Sequence, residues 1–282
     1  MTLHQFPALI QGTDEWFDQR RGMVTASVVG QLVGVRAPGP FDFKCPSCDA
    51  APHSQCISKV KRNGVIGALL KNAHPERISF ATRHGREVEG KIEPLADNHS
   101  RALTALLVAE RITGWTEATY ANGDMLQGVY DEPRARDKYI EHYGDKYGDV
   151  TETGFMVRDD WGFQIGYSPD GLVGDDGLIE VKSRRPKKHL QTILANDVPI
   201  ENMAQIQCGL VVSGRAWCDY ISFCGGMPMY VKRVLPDERW AEAIVEAVKA
   251  FEESAAVMTA LYEDATHGLA QTERNYYEEM SL

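Results

Sequence analysis

The stretch "YSPDGLVGDDGLIEVKSRRP" (residues 167–186) constrains this chain more than any other. Asp170-Gly171 and Asp175-Asp176-Gly177 are turn-forming punctuation, and the runs beside them are short, apolar and rich in Val, Ile and Leu. Strand side chains alternate faces, so Glu180 and Lys182 share one face while Ile179 and Val181 take the other. A carboxylate and an ammonium on a half-buried strand are costly to desolvate and call for a use. The return between 170 and 180 is expected to bring Asp170 beside the Glu180 strand, with Pro169 and Gly171 shaping the turn that aims it.

Asp170, Glu180, the Val181 backbone carbonyl and Lys182 form a set suited to phosphodiester hydrolysis. Carboxylates and carbonyls are hard oxygen ligands for Mg²⁺, which keeps several waters and uses few protein groups. A neighbouring lysine can orient or deprotonate the attacking water and offset negative charge. Alone, the pattern equally suits a surface hairpin carrying an ordinary Glu and Lys.

The remaining chain reads as a mixture of helices and strands. "GTDEWFDQRRG" predicts a short helix capped by Asp14 and stopped by Gly22, and "TASVVGQLVG" a second helix starting near Thr25 or Ser27. Helical periodicity recurs at 100–115, 124–144, 201–213 and 237–265, with short strands between 153 and 183 that read as one meander, and further strands at "AWCDYISFC" and "MPMYVKRVL". In the last helix Trp240, Ile244, Val248, Phe251, Ala255 and Met258 repeat at spacings of three and four, which predicts a face packed on the core. The 282 residues suffice for one domain with a full hydrophobic core, 1–282, and 43% apolar with 25% charged residues suit a soluble globular chain. No apolar run reaches a membrane span, and the N-terminus lacks a signal-peptide layout, so a cytoplasmic location without membrane attachment is expected. A net charge of −10 argues against a general nucleic-acid coat but allows basic residues concentrated at one groove, such as 182–189 or 58–64.

Residues 37–78 break the periodicity and read as a compact insertion. Cys45-x2-Cys48-x7-Cys56-x17-His74 has the spacing of a tetrahedral Zn²⁺ site in which two thiolates of a knuckle bind with a third Cys and a His. His53 is an alternative fourth ligand that needs a tight loop, and three unligated thiols are the plain alternative. A structural zinc would let a segment too small for its own core fold. Lys59, Lys61 and Arg62 give it a basic edge that could touch DNA. Cys208, Cys218 and Cys224 lie in apolar contexts and are expected to be core thiols.

The motif "SPDG…IEVK" resembles that of the PD-(D/E)xK nucleases, and its surroundings resemble the lambda-exonuclease or YqaJ-type viral recombinase family. "DEWFDQRRGMVTAS", "LLVAERITGW", "MLQGVYDEPRARDKY" and "NMAQIQCGL" match further elements of that family in order, from residue 14 to about 212. The resemblance implies an α+β restriction-endonuclease-like core, a mixed central sheet flanked by helices, with a zinc-binding insertion that the simple lambda-type enzyme lacks. It implies metal-binding carboxylates at Asp170, Glu180 and the helical Glu132, a catalytic Lys182, and Gln205 on the helix behind the site. Arg20 and Ser27 fall at positions that hold a terminal 5′ phosphate, an assignment helped if Ser27 begins a helix. The implied activity is a 5′-to-3′ exonuclease on double-stranded DNA ends, dependent on Mg²⁺ or Mn²⁺, that leaves 3′ single strands for a separate annealing protein. A ring-shaped homotrimer is implied likewise. A restriction-like or structure-specific endonuclease with the same metal site, and a catalytically silent zinc-dependent DNA-binding protein, are the alternatives. A RecB-type nuclease fits less well, because its glutamine-x3-tyrosine helix motif is absent at Gln205 and Gln207.

Overall fold

A computed structural model describes residues 2–60, 67–85, 90–116 and 122–273. The strands are β1 (Leu3–Phe6), β2 (Val33–Arg36), β3 (Lys91–Pro94), β4 (Val150–Thr151), β5 (Phe155–Arg158), β6 (Ile165–Tyr167), β7 (Gly171–Val173), β8 (Gly177–Ser183), β9 (Trp217–Phe223) and β10 (Tyr230–Val234). The α-helices are α1 (Asp14–Arg20), α2 (Pro75–His84), α3 (Asn98–Thr113), α4 (Gly123–Tyr147), α5 (Pro186–Ala195), α6 (Ile200–Ser213) and α7 (Glu238–Ala265).

The central sheet has the order β10-β9-β8-β7-β4, with a second sheet β1-β5-β6 and a pair β2-β3. The central sheet is mixed: β8 pairs antiparallel with β7 and parallel with β9, setting Glu180 opposite Tyr220. A parallel pair needs a crossover, which α5 and α6 provide. Both faces of this sheet are covered. Leu172, Leu178, Cys218 and Tyr220 pack with Ile206, Leu210 and Val212 of α6 and with Trp240, Ile244 and Phe251 of α7. Val173, Ile179, Val181 and Ile221 pack with Ala135 and Tyr139 of α4. The α+β class with helices on both sides of a mixed sheet is the one expected from the sequence.

Local rules explain the helix limits. Asp97 caps α3 by accepting the His99 and Ser100 amides, each at 2.9 Å, and the helix ends at Gly114 in the left-handed region. Asn122 caps α4 in the same way. The α7 stripe is buried from Trp240 to Ala255, with Met258 packed at its edge. Among the described residues no helix is long and apolar enough to cross a membrane. Cys208, Cys218 and Cys224 are buried free thiols, as expected of core residues.

Three expectations need correction. The cap of α1 is Thr13, whose Oγ1 accepts the Trp16 amide, and Asp14 is its first helical residue. "TASVVGQLVG" is not an α-helix. Ala26 and Val24 exchange backbone bonds with Gly166, only Val29–Gln31 turns helically as a 3₁₀ segment, and β2 follows. Its β-branched residues and two glycines favour that strand-like pairing over a helix. The strands from 155 to 183 do not form one meander. β5 and β6 belong to the second sheet and β7 and β8 to the central one, and the chain crosses at Ser168-Pro169-Asp170. Pro169 has no N–H and cannot carry a ladder through that point. The basic run 182–189 leads into a helix: Pro186 opens α5 at its first position, and His189 is buried between Ser222 and the Pro228 carbonyl.

Candidate active site

The crossing between the two sheets opens a cavity of about 210 Å³ lined by Trp16, Arg20, Thr25, Ser27, Glu132, Tyr167, Ser168, Asp170, Glu180, Val181, Lys182 and Gln205, among others. Every residue anticipated at the nuclease site therefore reaches one cavity, although they come from α1, the loop before β2, α4, the link between β6 and β7, β8 and α6.

Glu180 sits at its base and is 0% exposed. Its Oε1 accepts Lys182 Nζ at 2.7 Å and Gln205 Nε2 at 2.6 Å, and Tyr167 OH reaches Oε2 at 3.5 Å. Gly209, one turn beyond Gln205 on α6, makes room for Tyr167, because a Cβ there would lie 2.7 Å from the ring. Asp170 stands across the strand pair and accepts the Val181 amide at 2.6 Å. Burial pushes the Asp170 carboxyl well above the usual carboxylate range, Glu180 adds to the push, and Lys182 opposes it. Burial would lower the Lys182 ammonium, but Glu180 and Asp170 outweigh it and hold the group above its ordinary value. Glu132 is raised by burial and by Glu180 against the pull of Arg136, which donates to its Oε1 at 2.7 Å. Its neighbour Asp131 turns away: it is buried and takes bonds from Gln127 and Ser183 at 2.9 and 2.6 Å. Oxygen donors of Asp170, Glu180 and Glu132 around one cavity are the type that Mg²⁺ takes.

At the other end of the cavity, Arg20 Nη2 donates to Thr25 Oγ1 and Ser27 Oγ, each at 3.1 Å, and the guanidinium lies 4.2 Å from the Trp16 ring centre. Trp16 Nε1 in turn donates to Ser168 Oγ at 2.9 Å. Burial lowers Arg20 despite the distant charge of Glu110. Ser27 does not begin an α-helix, so no helix dipole faces this corner; its donors are hydroxyls and one guanidinium. The turn that carries Arg20 is fixed from α3. Gly22 has φ +63°, its amide donates to Glu110 Oε2 at 2.8 Å, and its carbonyl accepts Arg111 Nε at 2.7 Å. Sequence reasoning did not single out Trp16, Thr25, Tyr167 and Ser168, although all four sit inside or beside the motifs that carry the site.

The cysteine segment is closed around a second cluster. Ligand atoms of Cys45, Cys48, Cys56 and His74 all lie within 4.8 Å of one another. Burial would raise Cys56, but the His74 amide, Arg77, Cys45 and the His74 ring together bring it down to about 6, which favours the thiolate that a metal needs. His53 is remote in role: it is exposed, has φ +63° and faces Asp42 at 3.6 Å. Lys61 and Arg62 lie outside the described residues.

A profile of the YqaJ-like viral recombinase domain matches residues 15–216. Among solved structures, the alkaline exonuclease LHK-Exo from Laribacter hongkongensis is similar at 26% identity and a TM-score of 0.63, covering 92% of this chain and 100% of that one. Its complex with dAMP gives 26% identity, a TM-score of 0.62 and the same coverage. No curated protein matches by sequence. With its motifs ordered along residues 15–216 and meeting in one cavity, the chain belongs to the YqaJ-like viral recombinase family.

Proposed function

We propose that this protein is a divalent-metal-dependent exonuclease that degrades one strand of double-stranded DNA from its 5′ end and leaves a 3′ single strand for an annealing partner. The observation that carries the reading is Arg20. It is a half-buried guanidinium whose side-chain partners are two hydroxyls and an aromatic face, in the same cavity as Asp170, Glu180 and Lys182. A partly desolvated cation without a carboxylate partner is suited to an anionic ligand, and a guanidinium beside hydroxyls suits a phosphate. A phosphate clamp beside the hydrolytic groups favours gripping an end over cutting a continuous backbone. Likeness to an alkaline exonuclease over the full length of that relative supports the same choice against the endonuclease and silent-binder readings.

Asp170, Glu180 and Glu132 are the residues that would hold the cation, with Val181 contributing backbone at the same wall. Bound there, Mg²⁺ or Mn²⁺ supplies Lewis acidity and a nucleophilic water. Lys182 Nζ holds or takes the proton at the attacking oxygen, Gln205 and Tyr167 fix the Glu180 carboxylate, and Arg20, Thr25 and Ser27 orient the terminal phosphate.

Digestion of linear duplex DNA with 5′-phosphate or 5′-hydroxyl ends, beside closed circles, tests the reading. Phosphorylated linear DNA is expected to be lost fastest and circles spared, and Arg20→Ala is expected to abolish the preference for the phosphate. Cleavage of closed circles would refute the exonuclease.

For the cysteine cluster we infer a structural zinc. About one equivalent of zinc per chain is expected by metal analysis, as one tetrahedral Cys₃His site holds, and Cys48→Ser is expected to lose it. A well-folded native protein without metal would overturn the assignment.

A further inference from the structure

Among the described residues of 37–78, only Cys45, Cys56 and Arg77 are buried. Its described residues form no apolar core of their own; they are assembled around the cysteine cluster and one arginine. Arg77 lies on α2 three residues after His74 and is 0% exposed. Its Nε donates to the Phe43 carbonyl at 2.8 Å, Nη1 to Ser54 O at 2.7 Å, and Nη2 to Ala51 O at 2.9 Å and Phe41 O at 3.4 Å. Nη1 also reaches Cys56 Sγ at 3.4 Å, and the guanidinium lies over the Phe41 ring. None of these partners is a carboxylate. An arginine stripped of water with no opposing charge is strongly unfavourable.

The missing charge is available in the cluster. A divalent cation held by three thiolates and a neutral imidazole leaves one net negative charge, in contact with Arg77 through Cys56. We propose that Arg77 is the counter-cation and cross-link of this centre, so that metal loading and the ordering of residues 41–56 are one event. The proposal rests on the zinc reading above and adds a positioning residue outside the four ligands. It differs from a merely structural role in one respect. A structural arginine stabilises the segment equally whether or not metal is present, whereas a counter-cation contributes most when the metal holds all three thiolates ionised.

The test uses the full-length protein as wild type, Arg77→Met and Arg77→Lys, each zinc-loaded and zinc-stripped. Zinc release to excess EDTA is followed with a chromophoric indicator, thiolate-to-metal absorption is read after Co²⁺ substitution, and thermal unfolding is recorded with and without zinc. Arg77→Met is expected to release zinc roughly 10–100-fold faster, the usual cost of losing an outer-shell partner. Its zinc-induced rise in Tm is expected to shrink, because the variant weakens the loaded form more than the stripped one. Arg77→Lys keeps the charge but loses the fork of carbonyl contacts, and an intermediate release rate is expected. If Arg77→Met yields no folded protein, faster release from Arg77→Lys supports the proposal and a wild-type rate overturns it. Wild-type release from Arg77→Met, or an undiminished zinc-induced shift in Tm, overturns it as well. A wild-type protein that binds neither zinc nor Co²⁺ refutes the zinc assignment itself, a result separable from any effect of Arg77.

Discussion

Replacing Lys182 by alanine is expected to slow cleavage of linear duplex DNA by roughly 10²–10⁴-fold, the range for removing a positioned acid or base. Binding of DNA ends, measured with Ca²⁺ in place of Mg²⁺, is expected to persist, because Arg20, Thr25 and Ser27 are untouched. Lys182 Nζ lies 2.7 Å from Glu180 Oε1, and the ammonium is held in its charged form by Glu180 and Asp170 against burial. Lys182→Arg separates proton transfer from charge. Arginine keeps the positive charge but does not give up its proton, so a variant as slow as alanine identifies proton transfer, and substantial recovery identifies electrostatics alone. A wild-type rate in Lys182→Ala would remove this lysine from the chemistry.

The second large effect lies away from the cavity. Asp219 on β9 is 2% exposed and accepts Tyr139 OH at 2.7 Å and Arg233 Nε and Nη2 at 2.8 Å each. The Arg233 guanidinium is stacked on Trp217, 3.5 Å from its ring centre, and on Tyr147 at 4.1 Å. One carboxylate thus ties α4 to β9 and β10, and α4 carries Glu132. Burial and then the Asp219 bond push the Tyr139 hydroxyl well above its ordinary value, so it remains a donor. Asp219→Ala leaves a buried hydroxyl and a guanidinium without their acceptor. A cost of about 3 kcal/mol is expected, at the low end for a broken buried pair because Arg233 is partly exposed. In a chain of this size that lowers Tm by roughly 6–12 °C, readable by circular dichroism. Asp219→Asn keeps an acceptor and is expected to fall between. An unchanged Tm in Asp219→Ala would show that the network contributes nothing net.

The legible parts of this protein were those encoded over short distances. The α7 stripe follows a helical period, and Asp170, Glu180 and Lys182 sit on one turn and one strand, so alternation alone placed their faces. Longer-range features had no local signature. Asp131 and Glu132 are adjacent acids on one helix, and only packing decides that the first bonds Ser183 while the second faces the cavity. The Glu110–Gly22 bond spans 88 residues and the Tyr139–Asp219 bond 80. "TASVVGQLVG" carries enough apolar residues to mimic a helix, and the competing edge of Gly166 that draws it into pairing lies far along the chain. The division of the strands at Pro169 was misread because each strand alone has ordinary alternation, and nothing in that alternation says which sheet it joins.

That division has a consequence for the product. The proposed phosphate clamp is borne by the smaller sheet: Trp16 packs on Phe155 and Val157 of β5, and Thr25 bridges to Gly166 of β6. Glu180 and Lys182, the proposed hydrolytic groups, belong to the larger one, and in the Ser168–Asp170 link the serine holds Trp16 while the aspartate holds the Val181 amide. On the proposed function, the span from the end that is gripped to the bond that is cut is therefore fixed by how two sheets abut. On that reading the product is measured with a gauge made of backbone, and changes that shift one sheet against the other are expected to alter the length of the fragment released before they alter the chemistry that releases it.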